Sequence, residues 1–83
     1  MTIDRAKLSY VFSATGYMLS YRGKNIGGVS SGAPGDRKRP WQHVHADRKM
    51  YAEMARNEID ALVAGQGQFR FVEVINRIDK EMK

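Results

Sequence analysis

The sequence predicts an α+β fold: a three-stranded antiparallel β-meander followed by an α-helical hairpin that packs on one face of the sheet. Two runs near the N-terminus alternate apolar and polar residues, which is the pattern of half-buried strands. Two later stretches repeat apolar residues at spacings of three and four, as amphipathic helices do. Turn-forming residues separate these elements, and we interpret the 83 residues as one small domain.

The strands are predicted within about residues 7–30. One face of the sheet should collect the bulky apolar side chains and pack on the helices, while the other face should meet solvent. The core face is predicted to carry Leu8, Tyr10, Phe12, Tyr17, Leu19 and Tyr21. A weaker third strand begins at Ile26, and its Gly27 and Gly28 predict a bulge or the close approach of another backbone.

The helices are predicted over about residues 41–64 and 68–82. Pro40, as a first-turn proline, or Asp47, as an N-cap, could begin the first helix. Gly65 and Gly67 should end it. The two apolar stripes consist of Val44, Arg48, Tyr51, Met54, Ala55, Ile59, Leu62 and Val63, and of Phe71, Val74, Ile75, Ile78 and Met82. Lys49–Glu53 and Arg56–Asp60 are interpreted as ion pairs on the outer face of the first helix.

Positive charge is concentrated in the first part of the chain. The protein has 14 Lys and Arg against nine Asp and Glu, a formal net charge of +5. Residues 1–50 hold nine of these cations and three acids, whereas residues 51–83 hold five cations and six acids. This asymmetry points to an anionic partner, which is either nucleic acid or an acidic protein surface.

The predicted contact residues lie in and around a basic loop over about residues 30–40. Arginine can bind carboxylates or phosphates through two hydrogen bonds, lysine acts as a point charge, and tryptophan can stack on a base. The predicted binding residues are Arg37, Lys38, Arg39, Trp41, Arg22 and Lys24. The alternative interpretation is a solvated loop with Trp41 packed at the start of the helix.

Other kinds of site have little support in the sequence. We find no enzyme signature and expect no catalytic residue, no cofactor and no metal. His43, His45 and Asp47 could chelate a metal in a strand or loop, but no further His and no Cys could complete the set of ligands. We therefore interpret them as surface or partly buried imidazoles near the helix start and as a helix cap. The absence of cysteine fits a reducing compartment. With no signal peptide and no apolar run near the roughly 18 residues of a membrane span, we expect a cytoplasmic protein that does not bind membranes.

The general layout resembles two groups of proteins. A three-stranded sheet backed by helix resembles the arm-binding domains of phage integrases and related plant DNA-binding domains. The meander from Tyr17 to Gly28 and the short helical hairpin resemble the small inhibitors that phages carry against bacterial defence, including anti-CRISPR proteins. Many anti-CRISPR proteins are acidic and imitate DNA. The second resemblance therefore implies that this basic chain would bind an acidic or RNA-adjacent surface of its target.

Three hypotheses about function follow. The first is a non-enzymatic phage or mobile-element interaction protein that inhibits a nucleic-acid-handling, CRISPR-type complex by steric binding through its basic surface. The second is a small DNA- or RNA-binding module, whose affinity should fall steeply with salt. The third is a small dimerising structural protein, since a homodimer would compensate for the limited core of so short a chain.

Overall fold

A computed structural model describes residues 3–30 and 41–82, except for the side chains of Trp41 and His43. Residues 31–40 of the predicted basic loop therefore lie outside the described residues. A short 3-10 turn (Arg5–Lys7) leads into strands β1 (Leu8–Ser13), β2 (Gly16–Tyr21) and β3 (Lys24–Ser30), and then helices α1 (Trp41–Val63) and α2 (Phe69–Glu81). The strands form one antiparallel sheet in the order β1-β2-β3. The predicted α+β fold class is confirmed.

Strands β1 and β2 form a regular hairpin, whereas β3 joins the sheet with an irregularity. The β1–β2 register runs from the pair Leu8–Tyr21 to the turn without a shift. Between β2 and β3 the register shifts after Leu19, which pairs with Gly27, while the next residue along β2 pairs with Asn25. This leaves one extra residue in β3, which is a β-bulge.

The two glycines of β3 allow two close approaches. A Cβ atom on Gly27, whose φ is +120°, would lie 3.0 Å from Cε1 of Phe71. A Cβ atom on Gly28 would lie 2.0 Å from the carbonyl oxygen of Tyr17 on the neighbouring strand. The predicted bulge and close approach are therefore both present, and no side chain fits at Gly28 without movement of the backbone.

The core lies between the sheet and the two helices. Helix α1 lies against β1 and β2, and α2 lies against β3. The buried hydrophobic residues are Ile3, Tyr17, Leu19, Tyr21, Ile26, Ala52, Ala55, Ile59, Leu62, Phe71, Ile75 and Ile78. The prediction for Phe12 is wrong: the residue is 40% exposed because it lies near the end of an edge strand. Met54 and Met82 are also exposed, although both belong to the predicted apolar stripes.

The ends of the helices follow from local hydrogen bonds. Gly65 has a φ of +80°, and its N–H donates to the Leu62 carbonyl at 3.2 Å. The next N–H, from Gln66, donates to the Ala61 carbonyl at 2.8 Å, which completes the Schellman motif that terminates α1. The predicted N-cap at Asp47 is wrong because this residue lies inside α1. No helix in the described ranges is long and apolar enough to cross a bilayer.

Candidate functional site

Only part of the predicted contact surface can be located. Arg37, Lys38 and Arg39 lie outside the described residues, and of Trp41 the structure gives only its place as the first residue of α1. The other two predicted binding residues lie at the turn between β2 and β3. Lys24 is exposed there, as the first residue of β3.

Arg22, in the same turn, is engaged with helix α2. Its backbone has a φ of 52°, and its Nε donates to Asp79 Oδ1 at 3.0 Å. The Tyr21 hydroxyl donates to the same carboxylate oxygen at 2.9 Å. Hydrogen bonding with Tyr21 raises the pKa of the Arg22 guanidinium, with a further contribution from the Asp79 charge. Arg22 therefore joins the turn to α2, and its positive charge is balanced within the fold.

A groove runs between strand β1 and helix α1. It consists of two spaces of about 390 and 540 Å³, which share Arg56 as a lining residue. The side chains of α1 that line it recur at spacings of three and four, so they lie on one side of the helix. The lining residues of this β1–α1 groove are Arg5, Leu8, Ser9, Tyr10, Phe12, His45, Arg48, Lys49, Ala52, Arg56 and Ile59.

The strand side of the groove carries two aromatic rings. Tyr10 and Phe12 point the same way along β1, and their ring centroids are 6.0 Å apart with an interplanar angle of 29°. The Arg48 guanidinium lies 5.8 Å from the Phe12 centroid, within the range of a cation–π interaction. This contact holds Arg48 at the strand while its positive charge stays exposed at the surface.

The helix side of the groove carries positive charge that no described acidic residue neutralises. Within residues 3–30 and 41–82, Arg48, Lys49 and Arg56 have no acidic side chain at ion-pair distance. The predicted pairs of Lys49 with Glu53 and of Arg56 with Asp60 are therefore wrong. Asp60 instead pairs with Arg5 of the 3-10 turn, which lies across the groove. Three exposed cations thus line a groove with an aromatic wall, an arrangement suited to an anionic ligand.

The sequence contained a signal for this groove that our prediction did not use. The predicted apolar stripe of α1 includes Arg48, and the predicted ion pairs include Lys49 and Arg56. Together with His45 they recur at helical spacing and form a basic side of α1 next to its apolar side. The described part of the chain contains no cluster of three or more potential metal ligands among His, Cys, Asp and Glu.

Comparisons with protein families, with curated proteins and with solved structures find no match to this chain.

Proposed function

We propose that this chain is a non-enzymatic binding protein that takes an acidic segment of a partner protein into the β1–α1 groove. The observation that carries the proposal is a set of three exposed cations, Arg48, Lys49 and Arg56, on one side of a helix beside an exposed strand. None of them has an acidic partner among residues 3–30 and 41–82. Carboxylates of a partner would supply the ion pairs that these three side chains do not make with any described residue.

Two features support a protein partner over a nucleic acid. The groove follows the edge of a sheet, where backbone N–H and C=O groups can bind another polypeptide. The three cations that line it without a described acidic partner are also few compared with the 6–10 phosphate contacts of strongly salt-dependent DNA-binding proteins. Inhibition of a CRISPR-type complex through such contacts remains part of the proposal, as one form that steric binding to an acidic surface could take.

A second candidate function is the binding of single-stranded nucleic acid in the same groove. It is favoured by one observation, the half-exposed Phe12 ring with Arg48 beside it. Bases stack on such rings, typically with about 1–3 kcal/mol per base. This candidate requires Phe12 to be a main contact, whereas the acidic-segment proposal requires mainly the cations.

The proposed function can be tested with a labelled polyglutamate peptide as the probe and fluorescence anisotropy as the readout. The double variant Arg48→Gln, Arg56→Gln removes two positive charges from the groove. We expect it to bind polyglutamate about tenfold more weakly, because each lost ion pair contributes roughly 0.5–1 kcal/mol. The matched control, Arg77→Gln with Lys80→Gln, removes the same charge from exposed positions on α2.

The outcomes separate the candidates. A loss confined to the groove variant supports the acidic-segment proposal, and an equal loss in both double variants overturns it. Tighter binding of a labelled single-stranded oligonucleotide than of polyglutamate, with a large loss in Phe12→Ala, would overturn it in favour of nucleic acid.

A further inference from the structure

Strand β1 directs part of its backbone away from the sheet. In an antiparallel pair, successive residues alternately face the partner strand and the opposite side. The Arg22 N–H donates to the Lys7 carbonyl at 2.9 Å, so the odd-numbered residues of this segment face β2. The N–H and C=O groups of Tyr10 and Phe12 therefore point outward. In the described part of the chain, neither residue makes a backbone hydrogen bond outside the ladder.

The same strand lacks the features that normally protect a sheet edge. Proteins limit unwanted pairing at edges with charged residues, prolines, bulges or very short strands. β1 has six residues, contains no charged residue and no proline, and pairs with β2 without a register shift. Its outward backbone is therefore a regular template for one more strand.

We propose that the acidic segment binds in an extended conformation and adds to the sheet as a fourth strand along β1. This inference rests on the proposed function, because the same groove supplies the charge. Side chains of an added strand would point alternately to the two faces of the sheet. Those on the helix side would meet Arg48, Lys49 and Arg56. Those on the other side would continue the exposed, uncharged row that contains Ser9 and Val11.

This geometry specifies the partner's sequence pattern. The segment should alternate acidic and uncharged residues over about six positions, the length of β1. A second copy of this chain does not fit the pattern, because pairing two β1 strands would bring two basic sides of α1 together. The positive charges on the two helices would repel each other, whereas an acidic strand would neutralise the positive charges of one helix.

The test uses a fluorescently labelled peptide of alternating glutamate and threonine, about eight residues long so that it covers β1. Its first control is the same peptide with lysine in place of glutamate, which should not bind. The second control is a glutamate- and alanine-rich helical peptide of equal charge. We expect it to bind about tenfold more weakly than the extended probe, because it cannot pair with the strand backbone.

Backbone N-methylation of the peptide supplies the sharper readout. One version carries methyl groups on all glutamate nitrogens and another on all threonine nitrogens. Only one of these sets can face β1 in a paired strand, so one version should lose binding and the other should keep it. Loss of binding by the peptide methylated on glutamate would indicate antiparallel pairing. Loss of binding by the peptide methylated on threonine would indicate parallel pairing.

Amide hydrogen exchange of the protein, measured by NMR, completes the experiment. Strand addition should slow the exchange of the Tyr10 and Phe12 amides on binding of the unmethylated peptide. The amide of Ser9, which faces β2 within the ladder, should change little. Equal binding of both methylated peptides without protection at Tyr10 and Phe12 would overturn strand addition, while the proposed binding of an acidic segment in the basic groove would stand. Failure of every acidic probe to bind would overturn the proposed function as well.

Discussion

The two edges of the sheet differ in what lies beside them. At β3, the Arg70 side chain of α2 donates from Nη2 to the Gly28 carbonyl at 3.1 Å, and the Asn25 side chain accepts the Gly27 N–H at 2.7 Å. The bulge further disrupts that edge. At β1, the arginines of α1 lie beside a regular strand and leave the outward backbone groups of Tyr10 and Phe12 without a backbone hydrogen bond in the described residues. The comparison shows that arginines on neighbouring helices can close one edge and leave another open.

The position of Arg70 depends on the packing beneath it. Its guanidinium lies 4.4 Å from the centroid of Phe71, and its Nε donates to the Gln68 side-chain oxygen at 3.1 Å. Phe71 in turn is fully buried under Gly27. The contact that occupies the β3 edge therefore depends on the core beneath it. Substitutions in the core, in the strand and at the surface should affect this edge to different degrees.

The largest effect is expected from Phe71→Ala. Removing this fully buried ring leaves a cavity under β3 and should lower the free energy of unfolding by about 3–5 kcal/mol. Urea denaturation followed by circular dichroism measures the change. Phe69→Ala is the matched control, because this ring is 78% exposed at the start of the same helix and should change stability by less than about 0.5 kcal/mol. Similar losses in both variants would contradict the described packing.

A smaller effect is expected from Gly28→Ala, which tests the fit of β3 against β2. The new methyl group would collide with the Tyr17 carbonyl, so the strands must separate at a cost of about 1–3 kcal/mol. Thermal unfolding provides the measurement. Ser9→Ala, on the exposed side of β1, should have little effect, and a neutral result for Gly28→Ala would show that β3 is not held this closely.

Stability should also fall at alkaline pH through Tyr17. Burial, together with the negative charge of Glu58, raises the pKa of the Tyr17 hydroxyl. As the pH rises, Tyr17 then ionises in the unfolded chain before it ionises in the folded one. Its contribution to stability is therefore fully present below the ordinary tyrosine pKa of about 10 and is lost above it, by at most about 1.4 kcal/mol per pH unit. In urea denaturation between pH 9 and about 11, Tyr17→Phe should lose less stability than the unmodified chain. Parallel curves would contradict this contribution.

The smallest effect on stability, and the most direct test of the comparison, is expected from Arg70→Gln. The exposed side chain contributes at most about 1 kcal/mol to folding. Its loss should nevertheless open the β3 edge and increase self-association at high concentration. Sedimentation velocity measures this change, with Arg77→Gln as the control for lost charge on α2. An unchanged sedimentation profile would show that Arg70 is not needed to protect this edge.

Local pattern predicted the fold well, while the site depended on which residues meet across the chain. Alternation predicted the meander, and the glycine pair predicted the bulge, because both signals act within a few residues. The pairing of Asp60 with Arg5 was not predictable in the same way, since it joins residues far apart in sequence. Asp60 therefore does not pair with Arg56, which lines the groove instead, and this arrangement is visible only in three dimensions.

The Arg70 contact with Gly28 also limits stoichiometry. Indefinite growth of a sheet needs two available edges per molecule, so that the strand added to one copy can accept the next. This chain has one edge available in its described residues and one that a side chain occupies. An assembly built through β1 should therefore stop after a single addition and give discrete complexes of one partner per chain instead of fibres.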